Sequence, residues 1–95
     1  MVLPLDYEIT ANAIRIMLGE DEYATLEYHV EGDRIFLDST YTPDLHRGRG
    51  VGGRLMSAAI EYARSNHYSI VPVCPFAIDY FKKHPEYDEM VDKGV

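Results

Sequence analysis

The stretch Arg47-Gly48-Arg49-Gly50-Val51-Gly52-Gly53 sets four glycines and two arginines at the start of an apolar-periodic segment that runs from Val51 to Asn66. The first turn of a helix leaves backbone N–H groups without intrahelical partners, and the helix dipole adds partial positive charge at the same end. An anionic diphosphate satisfies both. Glycine lets a ligand approach the backbone where no Cβ intervenes, and it reaches the positive φ that such a loop requires. Arg47, Arg49 and Arg54 add formal charge and forked donors around the anion.

Two familiar phosphate loops fail on their surroundings. Gly48-x-Gly50-x-x-Gly53 satisfies the spacing of a dinucleotide fingerprint, but that motif needs a strand running straight into the first glycine and an acidic residue about 20 positions on. Here Thr42 to Arg47 intervenes, and Tyr68, Ser69 and Ile70 occupy the acidic position. A mononucleotide P-loop needs Lys followed by Ser or Thr after its last glycine, and no Lys is near.

The chain has 95 residues, one domain's worth, and is short enough that self-association would help its core. Hydrophobic residues make up 46% of it, which excludes a disordered chain. The single cysteine, Cys74, excludes an intrachain disulfide and a Cys cluster for zinc, and the four scattered histidines have no metal-ligand spacing. No metal is expected. The N-terminus has no basic, apolar secretion pattern and no apolar run is membrane-length, so the expected location is the cytoplasm, with no membrane partner. Net charge is −7, yet residues 44–54 hold three arginines against Asp44 alone. An acidic remainder argues against a nucleic-acid partner.

Asn12 to Leu18, Glu22 to Val30 and Arg34 to Tyr41 alternate as strands separated by Gly19-Glu20-Asp21 and Glu31-Gly32-Asp33, which predicts an antiparallel meander. The period then changes to a helix over Val51 to Asn66, stopped at Asn66-His67. Ser69 to Val73 reads as a fourth strand, parallel to the third, with Pro72 at an edge or splayed position. Pro75 suits the first turn of a helix from Phe76 to about His84, and Asp88 to Val95 reads as a frayed acidic tail.

The pattern Arg47-x-x-Gly50-x-Gly52 resembles the pyrophosphate loop of the GNAT superfamily of acetyl-coenzyme A-dependent N-acetyltransferases. Thr40 through Tyr87 resembles more narrowly a small single-domain GNAT subfamily, in which such a loop is followed by a Pro-x-Cys motif, here Pro72-Val73-Cys74. The resemblance implies an α+β, α/β-sandwich fold of order βββαβα. It is a truncated GNAT-like fold with a mixed sheet, an antiparallel meander and one parallel crossover. It implies acetyl-coenzyme A as cosubstrate and a small-molecule or peptide amine as acceptor. Cofactor contacts would come from Thr40, Tyr41, Thr42, Arg47, Gly48, Arg49, Gly50, Val51, Gly52, Gly53 and Cys74. A coenzyme A binding or sensing module without turnover is the alternative.

Acetyl transfer to an amine proceeds either directly on bound acetyl-coenzyme A or through an acetylated enzyme thiolate. Cys74 falls at the cap of the last helix, where the helix N-terminus favours a thiolate. It can be a nucleophile, a cofactor contact or a small core residue. By resemblance the usual acid is a tyrosine on this helix, but Phe81 falls at that position; Tyr80 lies about 100° round the helix. Tyr80 and His84, one turn apart, are the candidate acids, and His84-Pro85 also reads as a helix stop. Ser39 stands where the subfamily often has a histidine, which weakens any Cys and His pairing. His46, just before the loop, either binds phosphate or packs beneath it.

Overall fold

In a computed structural model of the chain, the described residues are 7–19 and 22–92. Parts of the first predicted turn (residues 20 and 21) and of the predicted tail (residues 93–95) lie outside them. One five-stranded sheet has its strands in chain order: β1 (Tyr7–Ile9), β2 (Ala13–Met17), β3 (Tyr23–Glu31), β4 (Arg34–Tyr41) and β5 (Ser69–Pro72). The first four are antiparallel neighbours, and β5 joins β4 in parallel after the crossover helix α1 (Val51–Asn66). A second helix, α2 (Pro75–Lys83), comes next.

The meander, the crossover and both helices stand as the sequence pattern predicts, and the mixed sheet is that of a truncated GNAT-like fold. Two elements differ. β1 is an added edge strand of three exposed residues, too short for alternation to announce it, and it is held by pairing with β2. The frayed-tail expectation is corrected for residues 88–92: Pro85–Met90 forms a short 3-10 turn, Val91 bridges Ile70 in parallel, and the Asp92 N–H reaches the Ile70 carbonyl at 2.8 Å. The outer edge of β5 would otherwise present unpaired backbone groups, which recruits this segment.

Alternation sends Ile14, Ile16, Ala24, Leu26, Tyr28, Ile35, Leu37 and Ile70 to one face of the sheet, all buried. Across that face lies α1, burying Val51, Leu55, Met56, Ala58, Ala59, Ile60 and Ala63, a wider stripe than the predicted one because α2 packs against its flank. Tyr62, predicted on the core face, is only partly buried and meets Tyr28 and Tyr68. Each large apolar side chain so enclosed contributes roughly 1.5–3 kcal/mol of transfer free energy. The helix ends where His67 adopts the left-handed conformation (φ 60°) and its N–H caps the Ala63 and Arg64 carbonyls.

Strand β4 is irregular in two places. The β3–β4 ladder pairs Tyr28 with Leu37 but Glu27 with Ser39, so Asp38 is the extra residue of a β-bulge. Pairing with β5 stops at Leu37↔Pro72, whereas β4 runs on to Tyr41. Beyond Leu37 the two parallel strands part.

Leu55 is fully buried beneath α1, so its truncation leaves a cavity in the core. Leu55→Ala should lower unfolding free energy by about 2–5 kcal/mol in urea titration with an unchanged m-value.

Candidate active site

Where β4 leaves β5, the chain opens a cleft of about 440 Å³ lined by Thr40, Tyr41, Thr42, His46, Arg47, Gly48, Gly50, Val51, Gly52, Gly53 and Phe76. Its floor is the start of α1. Arg54 is the first residue of the helix to donate to an intrahelical carbonyl, that of Gly50 at 3.2 Å, which leaves the Val51, Gly52 and Gly53 N–H groups directed out of the helix end. An ordinary helix uses a Ser, Thr, Asp or Asn side chain to occupy some of these donors. Here the cap is Gly50, in the left-handed conformation (φ 78°), with no side-chain hydrogen bond. The donors are therefore left for an external acceptor.

The glycines divide their work. Gly48 (φ 81°) and Gly50 have positive φ, and a Cβ at either would meet nothing within 4 Å, so space stands open above both. Gly52 differs: a Cβ there would lie 2.5 Å from Phe76 Cζ. Its lack of a side chain seats the Phe76 ring against the first turn of α1. Gly53 has no neighbour within 4 Å and no unusual φ.

The Arg47 side chain is steered by its own loop. Its Nε donates to the Thr42 carbonyl at 3.2 Å and lies 3.4 Å from an Asp44 oxygen. His46 is tied back to the β3 end of the hairpin, with Nε2 2.9 Å from Glu22 Oε1 and the side chain only 19% exposed. It is partly buried against Glu22 and lines the cleft. Arg49 is exposed and does not line the cleft; of the loop residues expected to hold a cofactor it alone stands outside.

Cys74 caps α2 as expected: its φ and ψ are extended, Pro75 comes at the first helical position, and Sγ accepts the Ala77 N–H at 3.4 Å. The residue is 6% exposed and packs in the core, near the point where β4 and β5 part but not on the cleft wall. Phe81 shares the buried side of α2 with Ala77. Tyr80 and His84 stack on each other with centroids 4.1 Å apart, and Tyr80 continues the stack to Phe76 at 6.4 Å. Burial, then the nearby Tyr87, raises the Tyr80 hydroxyl above its ordinary pKa, against a lowering hydrogen bond from Ser57 of α1. That hydroxyl is thus protonated at neutral pH and turned toward α1. Neither Tyr80 nor His84 lines the cleft, and the structure does not bring them to it. His84 ends α2, with Nδ1 3.3 Å from Glu86.

Phe76 is the wall residue that sequence reading missed. Its only signal was its place directly after Pro75, and nothing local distinguishes an aromatic residue there from a core one. Among the described residues no group of three metal-ligating side chains comes together, and no helix is long and apolar enough to cross a membrane.

Residues 7–90 match the model of the GCN5-related N-acetyl-transferase family. The chain belongs to that family. A GCN5-like candidate N-acetyltransferase from Staphylococcus aureus, solved by NMR in solution, superposes with a TM-score of 0.75 at 30% sequence identity, over 93% of this chain and 88% of the other. GCN5-related enzymes are acyltransferases with acetyl-coenzyme A as the family's cosubstrate, and this chain is an acyltransferase by that membership. The uncapped α1 terminus, the open space over Gly48 and Gly50 and the parted β4 edge meet in this one cleft.

Two substitutions separate the roles of neighbouring glycines. Gly53→Ala should be neutral or stabilising by up to roughly 1 kcal/mol. Gly52→Ala should destabilise by about 1–3 kcal/mol through overpacking against Phe76, and the difference should vanish in a Phe76→Leu background when thermal unfolding is compared across the cycle.

Proposed function

We propose that this protein transfers an acetyl group from acetyl-coenzyme A to an amine. The observation that carries the reading is the convergence, in one cleft, of the uncapped α1 terminus with the unpaired end of β4. The diphosphate would lie against the N–H groups of Val51, Gly52 and Gly53, with Gly48 and Gly50 leaving room and Arg47 supplying charge; Arg49 and Arg54 contribute only at longer range. The pantetheine arm would run along Thr40, Tyr41 and Thr42, where β4 has main-chain groups that β5 no longer takes up. Phe76 would close the side of the channel. When bound, the cosubstrate supplies an activated acyl thioester, and the chain's residues hold its carbonyl near backbone donors and within reach of a neutral amine.

Cys74 supports direct transfer better than a covalent route. A thiol that caps a helix, is 6% exposed and already accepts an N–H is poorly placed to attack a thioester. We assign it to holding the start of α2 at the inner end of the channel. Tyr80 and His84, stacked away from the cleft, would support Phe76 rather than exchange protons with substrate.

Calorimetric titration with acetyl-coenzyme A and coenzyme A tests the cofactor reading, and failure of both to bind would remove it. Gly50→Ala, which forces a side chain into a left-handed conformation costing roughly 1–2 kcal/mol, should weaken that binding while leaving the fold intact by circular dichroism. Intact-mass analysis after incubation with acetyl-coenzyme A and an amine panel tests the route. Wild type and Cys74→Ser should both acetylate amines without a stable adduct; a one-acetyl gain that requires Cys74 and is discharged by amine would establish the covalent route instead. Binding without turnover of any amine would favour a sensing module.

A further inference from the structure

On the sheet face turned away from both helices, one imidazole stands between two carboxylates. His29 Nδ1 lies 2.7 Å from Asp38 Oδ2, His29 Nε2 lies 3.0 Å from Glu31 Oε2, and the ring stacks on Phe36 at 4.5 Å and 9°. Asp38 is the bulge residue, with no partner on β3, and it comes immediately after the last β4 residue paired to β5. The contact to His29 is therefore the side-chain tie between β3 and the residue at which β4 turns away. A carboxylate only accepts hydrogen bonds, so two ring nitrogens each facing one require two N–H donors, which the imidazolium alone possesses. Loss of one proton sets a lone pair against one carboxylate.

We propose that the His29 imidazolium is a latch that fixes the bulge at Asp38 and so positions the β4 residues that follow it, of which Thr40 and Tyr41 line the channel, making the cleft's affinity for its ligand pH-dependent. The ligand half of this inference rests on the coenzyme A reading above; the bulge half does not. His29 is a positioning residue, acting through Asp38 and the β4 backbone.

Other charged groups at this level have their own partners. Glu27 accepts the Ser39 hydroxyl at 2.9 Å, a second tie from β3 to the same stretch of β4, and the Arg34 guanidinium lies over Phe36 at 5.6 Å. From β5 the residue beside Phe36 is Val71, and the β2 ladder with β3 reaches only Ala13↔Glu27, so neither strand sets a charge against the ring. The hydrogen bond to Asp38 is the leading cause that raises the His29 pKa above 6.5, with Glu31 adding and desolvation opposing. A folded-state pKa above the unfolded one means that the latch contributes fully below the unfolded value and is lost as pH rises through the raised one.

The test uses backbone and imidazole NMR of the whole chain from about pH 5.5 to about pH 8.5, a range that brackets histidine titration. The amides of Ser39, Thr40 and Tyr41 should shift with the same midpoint as the His29 imidazole, and that titration should disappear in Asp38→Asn and in His29→Gln. Coenzyme A titrated calorimetrically into wild type should lose roughly fivefold more affinity across this range than into Asp38→Asn, the low end of ordinary site-to-site coupling. Ionisation of the ligand is common to both proteins and cancels in the comparison. Amides that stay still while His29 titrates, or that still titrate in Asp38→Asn, would overturn the latch, as would release of Glu31 with Asp38 retained. Absence of coenzyme A binding at every pH would overturn the ligand half, while the amide titration still decides the bulge half.

Discussion

A strand in the middle of a sheet must satisfy hydrogen-bonding groups on both edges, and β4 does so on one edge for longer than on the other. Against β3 it pairs through Tyr41; against β5 it pairs only to Leu37. The reason lies in the partner. Pro72 ends β5 and has no N–H to give, the Leu37 carbonyl takes both the Val73 and Cys74 N–H groups at 3.0 and 3.1 Å, and Cys74-Pro75 then turns the chain into α2. With β5 gone, the last four residues of β4 have a bare backbone edge inside a folded domain. Such an edge is costly unless water or a ligand fills it, so the parting of two strands creates the cleft.

The other end of the cleft is governed by a second set of unsatisfied donors. A Ser or Asp at position 50 would cap α1 and stabilise it by about 1 kcal/mol, while occupying donors that an anion would use. Gly50 forgoes that gain. The surrounding charge fits the same logic, since a chain of net charge −7 keeps Arg47, Arg49 and Arg54 together around this helix start. Tertiary packing restores what the missing cap withholds: Val51 and Leu55 are buried against the sheet, so the helix is held by its apolar face and its terminus stays free.

Family membership and fold agree with these local observations without assigning roles to individual residues. Phe81 and Cys74, at positions where a GNAT acid and nucleophile could be sought, are both buried, whereas Phe76, Thr40 and Arg47 meet at the cleft. On the proposed reading, the chemistry at this site would be positional. A thioester is already activated toward amines, and a channel that orients it beside backbone donors supplies most of what transfer requires.

By itself the sequence determined the meander, the crossover helix and the cap of α2. Each is a local matter of period two, period 3.6, or a Pro after a capping residue, and each carries its signal in adjacent positions. It also determined where the glycine-arginine loop gives way to α1, because Arg47-Gly48-Arg49-Gly50-Val51-Gly52-Gly53 joins composition, charge and a helix start in seven consecutive residues. Only the tertiary structure decided that Gly52 makes room for Phe76, that His46 is tied to Glu22, that Tyr80 and His84 stack outside the cleft, and that residues 85–92 cover the edge of β5. Those outcomes depend on which elements come to lie side by side. Contacts between residues 24 or more positions apart, such as Gly52 with Phe76 or Glu22 with His46, leave no periodicity in the chain from which they could be read.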